Sequence, residues 1–325
     1  MKTDYYLLQT LKHYMMIVSR TMSLYLFCLV VFLCPYVNGF FRFTKASVRS
    51  LLCDTKTSFK TDPTADLYQH LKFSIMGGGA FSLALAQVLS KKNIQSTLLV
   101  RNQSIAEYIN THRRHPSYLS EYTLPKQLRA TTDSKEALEH ADYVIHAVPM
   151  QQSRVFLQSI QPHLTPTTPL LSVTKGVEQG TFCLMNEIIV QTLGSSQRCA
   201  FLSGPSFAEE IMQRQATAVV IASTEASLAK QLSLILSSIE FRCHTSSDVK
   251  GVELAGAIKN VIALAAGMCE GLDLGMNAMS SLVTRGCLEM SSMGKLFGAD
   301  QETFNGLAGV GDTFGTCFGP LSRNR

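Results

Sequence analysis

The run Gly251-Val-Glu-Leu-Ala-Gly-Ala-Ile-Lys-Asn-Val-Ile-Ala-Leu-Ala-Ala-Gly-Met268 constrains this chain more than any other stretch. It is long enough for about five helical turns. Apolar residues occupy nearly its whole circumference, which reads as a helix enclosed by the rest of the fold. After Glu253 a single charge interrupts it, Lys259. An ammonium in apolar surroundings is costly unless it is paired or used. Burial also moves its pKa down, toward the range where it can exchange protons near neutrality. The alternative is a lysine whose stem lies along the helix while its head reaches water.

Such a helix needs a large body around it. At 325 residues the chain allows about two domains. A hydrophobic content of 46% against 16% charged residues supplies a sizeable core and excludes a disordered chain. The basic excess is local: residues 1–70 carry eight Lys/Arg against four Asp/Glu, and the remaining 255 carry 21 against 20. Nucleic-acid binding by the body therefore has no electrostatic support. The nine cysteines form no C-x-x-C pair and no His/Cys cluster at zinc spacing, so no metal is expected and the thiols read as reduced.

Residues 1–39 have the layout of a signal peptide: a basic start, the apolar core Leu24–Cys34, then Pro35 and Gly39. A single membrane anchor is the competing reading, because the uncharged span approaches membrane length. Residues 40–70 begin at Phe40 and are rich in Ser, Thr and basic residues, with no acid before Asp54. That is transit-peptide composition. The pair resembles the two-part leaders of algae with secondary plastids and predicts a plastid destination; retention in the secretory system is the alternative.

The body is predicted to start near Leu71. Lys72–Met76 reads as a strand, Gly77-Gly-Gly-Ala-Phe-Ser82 as a turn, and Leu83–Leu89 as a helix. Strand, glycine turn and helix together give the context of a dinucleotide-binding fingerprint. Gly77 permits the tight turn, and Gly79 lets backbone approach a pyrophosphate at the helix N-terminus. Ser82 stands in place of the third glycine, so helix and strand are expected to sit slightly further apart. A second strand, Ser96–Val100, ends at Arg101, where an NAD-preferring site would carry an acid; an arginine can pair with a 2′-phosphate. Residues 103–130 read as a polar helix and loop carrying Tyr118 and Pro125. Further strands are expected at Ala141–Pro149, Leu170–Thr174, Ala200–Ser203, Ala216–Ala222 and Glu240–His244. Strands alternating with helices imply an α/β fold with a mostly parallel sheet, whose ligands sit beyond the carboxyl ends of the strands. Lys175 and the Gly204–Ala208 loop lie at such ends. Gly306–Asp312 reads as a glycine-rich loop carrying a carboxylate. The chain closes on Ser322, Arg323 and Asn324, donors suited to a phosphate dianion.

The segments IMGGGAFSLALA, SVTKGVE, FLSGPSFAEE, GVELAGAIKNVIALAAGMCEGL, NAMSSLVTRGCLEM and GLAGVGDTFGTCFGPLSRNR, in that order, resemble NAD(P)-dependent glycerol-3-phosphate dehydrogenase of the bacterial and plastid kind over Lys72 to the end. The resemblance implies a Rossmann-like sheet domain over 71–249 and an all-helical, 6-phosphogluconate-dehydrogenase-like domain over 250–325. It implies NAD or NADP, with NADPH tolerated or preferred, and reversible reduction of dihydroxyacetone phosphate for glycerolipid synthesis. Lys259 matches the general acid/base, Lys175 its partner, and Asp312 the acid that orients the lysine. Gly204, Ser206, Ser322, Arg323 and Asn324 match substrate contacts. Gly77, Gly79, Ala80, Phe81, Arg101, Tyr118, Lys175, Ala208 and Arg323 match cofactor contacts. A homodimer with a small-molecule substrate, without nucleic acid and without a membrane in the mature form, completes the implied picture. The family continues for several helices past SRNR, so exposed apolar faces are expected over residues 250–318. The rival readings are a related 6-phosphogluconate or hydroxyacid dehydrogenase, and an inactive nucleotide-binding homologue.

Overall fold

The computed structural model describes residues 65–322. The signal-like segment, most of the transit-like segment, Arg323 and Asn324 lie outside the described residues.

The first described element is a short helix, α1 (Ala65–Tyr68), so the folded body reaches back past Leu71. Tyr68 packs against the sheet core, and its ring lies 5.0 Å from the Lys92 ammonium. Then follow β1 (Lys72–Met76), α2 (Ala80–Ser90), β2 (Gln95–Leu99), α3 (Gln103–His112), β3 (Leu128–Thr131), α4 (Ser134–Leu138), β4 (Tyr143–His146), α5 (Met150–Ile160) and β5 (Leu170–Ser172). The sheet half ends with α6 (Met185–Leu193), β6 (Cys199–Ser203), α7 (Ala208–Met212), β7 (Thr217–Ala222), α8 (Ala226–Leu236) and β8 (Phe241–Ser246). The strand order is β3-β2-β1-β4-β5-β6-β7-β8, parallel throughout except where β6 meets β7. The order reverses between β1 and β4, and that switch point opens a crevice at the carboxyl ends of the strands.

The strands form because their apolar residues run nearly without interruption and both faces are covered by helices. Phe73, Ile75, Leu85, Leu98 and Ile145 are fully buried in the larger of the two sheet-side clusters. Each such side chain contributes roughly 1.5–3 kcal/mol of burial. One strand departs from the expected polar helix and loop over 103–130. Leu128-Arg-Ala-Thr131 pairs in parallel with β2 at the sheet edge. It is short, and its exposed Arg129 pairs with Glu136, which hides the apolar signal.

A helical half follows: α9 (Val249–Gly271), α10 (Gly275–Leu296), α11 (Gln301–Asn305), a π-helical turn (Leu307–Gly311) and α12 (Asp312–Phe318). Asp248 caps α9 by accepting the Gly251 N–H at 2.9 Å, and its other oxygen accepts from Asp300 and Thr303 at the start of α11. Two expectations change here. First, α9 is not enclosed all round. Leu254, Ala255, Lys259, Ile262 and Ala266 are buried, while Val261, Leu264 and Met268 are exposed. Second, within Gly306–Asp312 the residues from Leu307 on are helical rather than a loop. A Cβ on Gly309 would lie 2.0 Å from the Phe304 carbonyl oxygen, so the glycine permits a backbone approach tight enough for the π turn.

Candidate active site

Three charged side chains from distant parts of the chain meet between the sheet half and the helical half. Lys175 follows β5, Lys259 projects from the middle of α9, and Asp312 opens α12. Lys259 Nζ donates to Asp312 Oδ1 at 2.7 Å, and Lys175 Nζ donates to Asp312 Oδ2 at 2.6 Å. One carboxylate thus bridges two ammonium groups. Lys259 is 7% exposed and Asp312 4%, so the lysine does not reach bulk water along the helix.

The sequence builds this meeting locally. Gly256 stands one turn before Lys259, and a Cβ there would come within 3.4 Å of Lys175 Cγ and 3.3 Å of Ser203 Oγ. A helix with no side chain at that point lets the Lys175 stem lie against it. Gly204 has φ +136°, and a Cβ on it would sit 3.0 Å from Val219 Cα, so only glycine turns the chain there. Its carbonyl accepts from Lys175 Nζ at 3.3 Å and from Ser206 Oγ at 3.0 Å. Ala208 is the first residue of α7. Ser322 is half-buried in the turn after α12, its N–H donating to the Gly319 carbonyl.

Two residues that the sequence reading did not single out complete the setting. Thr316 Oγ1 donates to the Asp312 carbonyl at 2.6 Å and accepts from Lys259 Nζ at 2.9 Å. Its one proton is committed, so it meets the lysine as an acceptor. Glu253, six residues before Lys259, accepts the Asn186 N–H at 3.0 Å and ties α9 to the start of α6; burial pushes its carboxyl up to about 8.

The pKa of Lys259 is pushed down to about 8, first by burial and then by the charge of Lys175, against the pull of Asp312. A lysine so tuned holds a proton at neutrality and can release it at modest cost. Two of its three N–H bonds are used, which leaves one for an incoming oxygen. Two lysines and one carboxylate sum to a single positive charge, which suits an anionic substrate.

The glycine turn lies at the switch point. Gly77 has φ +106°, and a Cβ there would stand 2.8 Å from the Ala147 carbonyl oxygen. A Cβ on Gly78 would meet Val100 Cγ1 at 2.8 Å. Gly79 is the N-cap of α2 without a side-chain cap, and nothing lies within 4 Å of its Cβ position. The backbone N–H groups of Ala80 and Phe81 open α2 and lack intrahelical acceptors by helix geometry. This open, donor-lined cradle fits the pyrophosphate of a dinucleotide. Ser82 lies beneath it, buried, with its hydroxyl unpartnered. The missing glycine therefore shows as an unsatisfied polar group in the packing of α2. Arg101 is exposed just past β2, and the following Asn102 caps α3 by accepting the Ser104 N–H at 2.9 Å. Tyr118 is exposed and stacks on His115 with ring centroids 5.0 Å apart.

Comparison with known proteins follows the same division of the chain. A family model described as the NAD-dependent glycerol-3-phosphate dehydrogenase N-terminus matches residues 72–229, and one described as the C-terminus matches residues 248–325. The chain is similar to glycerol-3-phosphate dehydrogenase (NAD(P)+) of Oleidesulfovibrio alaskensis, 44% identical over 256 residues that cover 78% of each protein. It is similar to the chloroplastic glycerol-3-phosphate dehydrogenase (NAD(+)) of Oryza sativa, 44% identical over 78% of this chain and 58% of that one. Among solved structures, glycerol-3-phosphate dehydrogenase of Coxiella burnetii superposes with a TM-score of 0.75 and 35% identity, over 79% of this chain and 78% of that one.

Proposed function

The chain belongs to the NAD-dependent glycerol-3-phosphate dehydrogenase family, and from that premise we propose that Lys259, Lys175 and Asp312 carry the proton transfer of a reversible reduction of dihydroxyacetone phosphate to sn-glycerol 3-phosphate. The observation that supports this reading is the buried Lys259 ammonium held at 2.7 Å by Asp312 and tuned to about 8. The Gly77–Gly79 turn, with the N–H groups of Ala80 and Phe81, would hold the cofactor's pyrophosphate, Arg101 its adenosine end, and Ala208 the approach from α7. When bound, NAD(P)H supplies the hydride to the carbonyl carbon. Lys259 donates its proton to the carbonyl oxygen as charge develops there, a contribution of roughly 10²–10⁴-fold. Lys175 stabilises the same oxygen electrostatically. Asp312 holds both ammonium groups in place, and Thr316 fixes the rotation of Lys259. Gly204, Ser206 and Ser322, with Arg323 and Asn324 beyond the described residues, would hold the substrate.

The two directions make opposite demands on Lys259. Reduction needs the ammonium, so its kcat/KM is expected to fall above pH about 8. Oxidation of glycerol 3-phosphate needs the neutral amine as base, so its kcat/KM is expected to rise with pH and level off above about 8. Steady-state rates for both directions between pH 6 and 10 check this; two flat profiles, or two that move together, would count against Lys259 as the proton carrier. Substrate profiling with non-phosphorylated hydroxyacids in the same assay separates this activity from the hydroxyacid dehydrogenases.

The chloroplastic relatives, together with the acid-poor segment after Phe40, support a plastid destination. A fluorescent fusion carrying residues 1–70 is expected to accumulate in plastids; confinement to secretory membranes would reverse that assignment.

A further inference from the structure

We propose that His115 is a cofactor-binding residue: its Nε2–H donates to an oxygen on the adenosine half of the dinucleotide, beside the glycine turn. This rests on the reading that the Gly77–Gly79 turn holds the dinucleotide, and it adds a donor from outside the glycine fingerprint.

The tautomer follows from the hydrogen bonds. His115 Nδ1 accepts the backbone N–H of Ser117 at 3.0 Å and that of Tyr118 at 2.9 Å. A ring nitrogen accepting two N–H groups carries no proton, so the neutral imidazole holds its proton on Nε2. Burial favours the neutral form. The residue is 2% exposed, yet Nε2–H has no acceptor among the described residues. The nitrogen is not sealed from solvent, so an incoming oxygen can reach its N–H.

The position says which oxygen. Nε2 lies 4.0 Å from the point where a Cβ on Gly78 would stand, and that same point faces Val100 Cγ1 just past β2. In a sheet of this order, the pyrophosphate lies over the glycine turn and the adenosine ribose lies toward the end of β2. The donor therefore stands where the adenosine phosphate and its ribose meet the protein. The tilted Tyr118 ring on the imidazole covers its outer side, which accounts for an exposed tyrosine at this point.

Shaping the 115–118 turn requires only an acceptor at the place of Nδ1. Asparagine supplies one, since its side-chain oxygen accepts backbone N–H groups two or three residues ahead. Its shorter side chain does not reach the glycine turn. His115→Asn therefore keeps the turn and removes the donor. Calorimetric titration of the full chain with NADH, NADPH and ADP-ribose is expected to show affinity about tenfold weaker for all three in His115→Asn. The ligand-free melting temperature and the KM for dihydroxyacetone phosphate at saturating cofactor are expected to be unchanged. Equal affinity in the two proteins would overturn the proposal and leave His115 a turn-former. Failure of the unaltered chain to bind any of the three ligands would remove the dinucleotide reading itself, and this proposal with it.

Discussion

Replacing Lys259 with methionine is expected to lower kcat for ketone reduction by about 10³-fold while leaving the affinity for NADH within a factor of about two. Methionine matches the stem in length and apolar character, so α9 keeps the packing it makes through Ile262 and Ala266. The substitution removes one charge and one proton donor. General acid catalysis by a positioned group contributes roughly 10²–10⁴-fold, and the loss should fall within that range. Asp312 retains Lys175 at 2.6 Å, so the carboxylate is not stranded and the variant should fold. The residual rate should also lose the fall above pH about 8 that marks reduction by the unaltered enzyme. Single-turnover reduction with cofactor prebound separates the chemical step from binding. A chemical rate within tenfold of the unaltered chain would end the assignment.

Much of this architecture is legible in the residues because the physics behind it is local. Each β-strand of the sheet's centre is a short apolar run bounded by turn residues, and both faces of a parallel sheet are covered. Gly77 announces its turn because its φ of +106° is open to glycine and strained for other residues. The edge strand β3 escapes because it is four residues long and two of them, Arg129 and Thr131, are polar. The centre itself is only partly legible. Lys259 shows as an isolated charge in an apolar run, but its partners stand 53 and 84 residues away and are brought to it by chain crossovers. No periodicity carries that information, and the resemblance supplies it. Thr316 was missed for a further reason. Its role depends on standing one helical turn after Asp312, and the glycines before Asp312 read as a loop. His115 sits in a polar connection where nothing in the sequence distinguishes a turn-former from a ligand contact. Composition alone makes α9 an enclosed helix, but Val261, Leu264 and Met268 are exposed, in keeping with the exposed apolar faces expected over residues 250–318.

Asp312→Asn is expected to damage stability and catalysis together, because one buried carboxylate compensates two ammonium groups, the buried Lys259 and the half-buried Lys175. Asparagine keeps the shape and removes the charge. Lys175 and Lys259 then face each other with no counter-ion, and breaking a buried pair from one side costs about 3–5 kcal/mol. For a body of this size that corresponds to a melting temperature lower by on the order of 10 °C at pH 7. The cost should depend on pH in a defined direction. Loss of Asp312 removes the one influence that raises the Lys259 pKa, so the value falls further below its present value of about 8. A lysine with a depressed folded-state pKa binds fewer protons in the folded state than in the unfolded state, between that pKa and its ordinary value. Stability contributed through that group therefore rises with pH across the window. The melting-temperature gap between the two proteins should accordingly narrow as pH rises to about 8, where Lys259 of the unaltered chain also loses its proton, and stay level above it, measured by calorimetry in a low-salt buffer. The reduction rate should fall by roughly 10²–10³-fold at neutral pH, since the remaining lysine holds its proton less well and is no longer oriented. Its decline with pH should begin at least one unit earlier. If the melting gap is constant with pH and the rate profile keeps its midpoint near 8, Asp312 is not the group that sets the charge of Lys259.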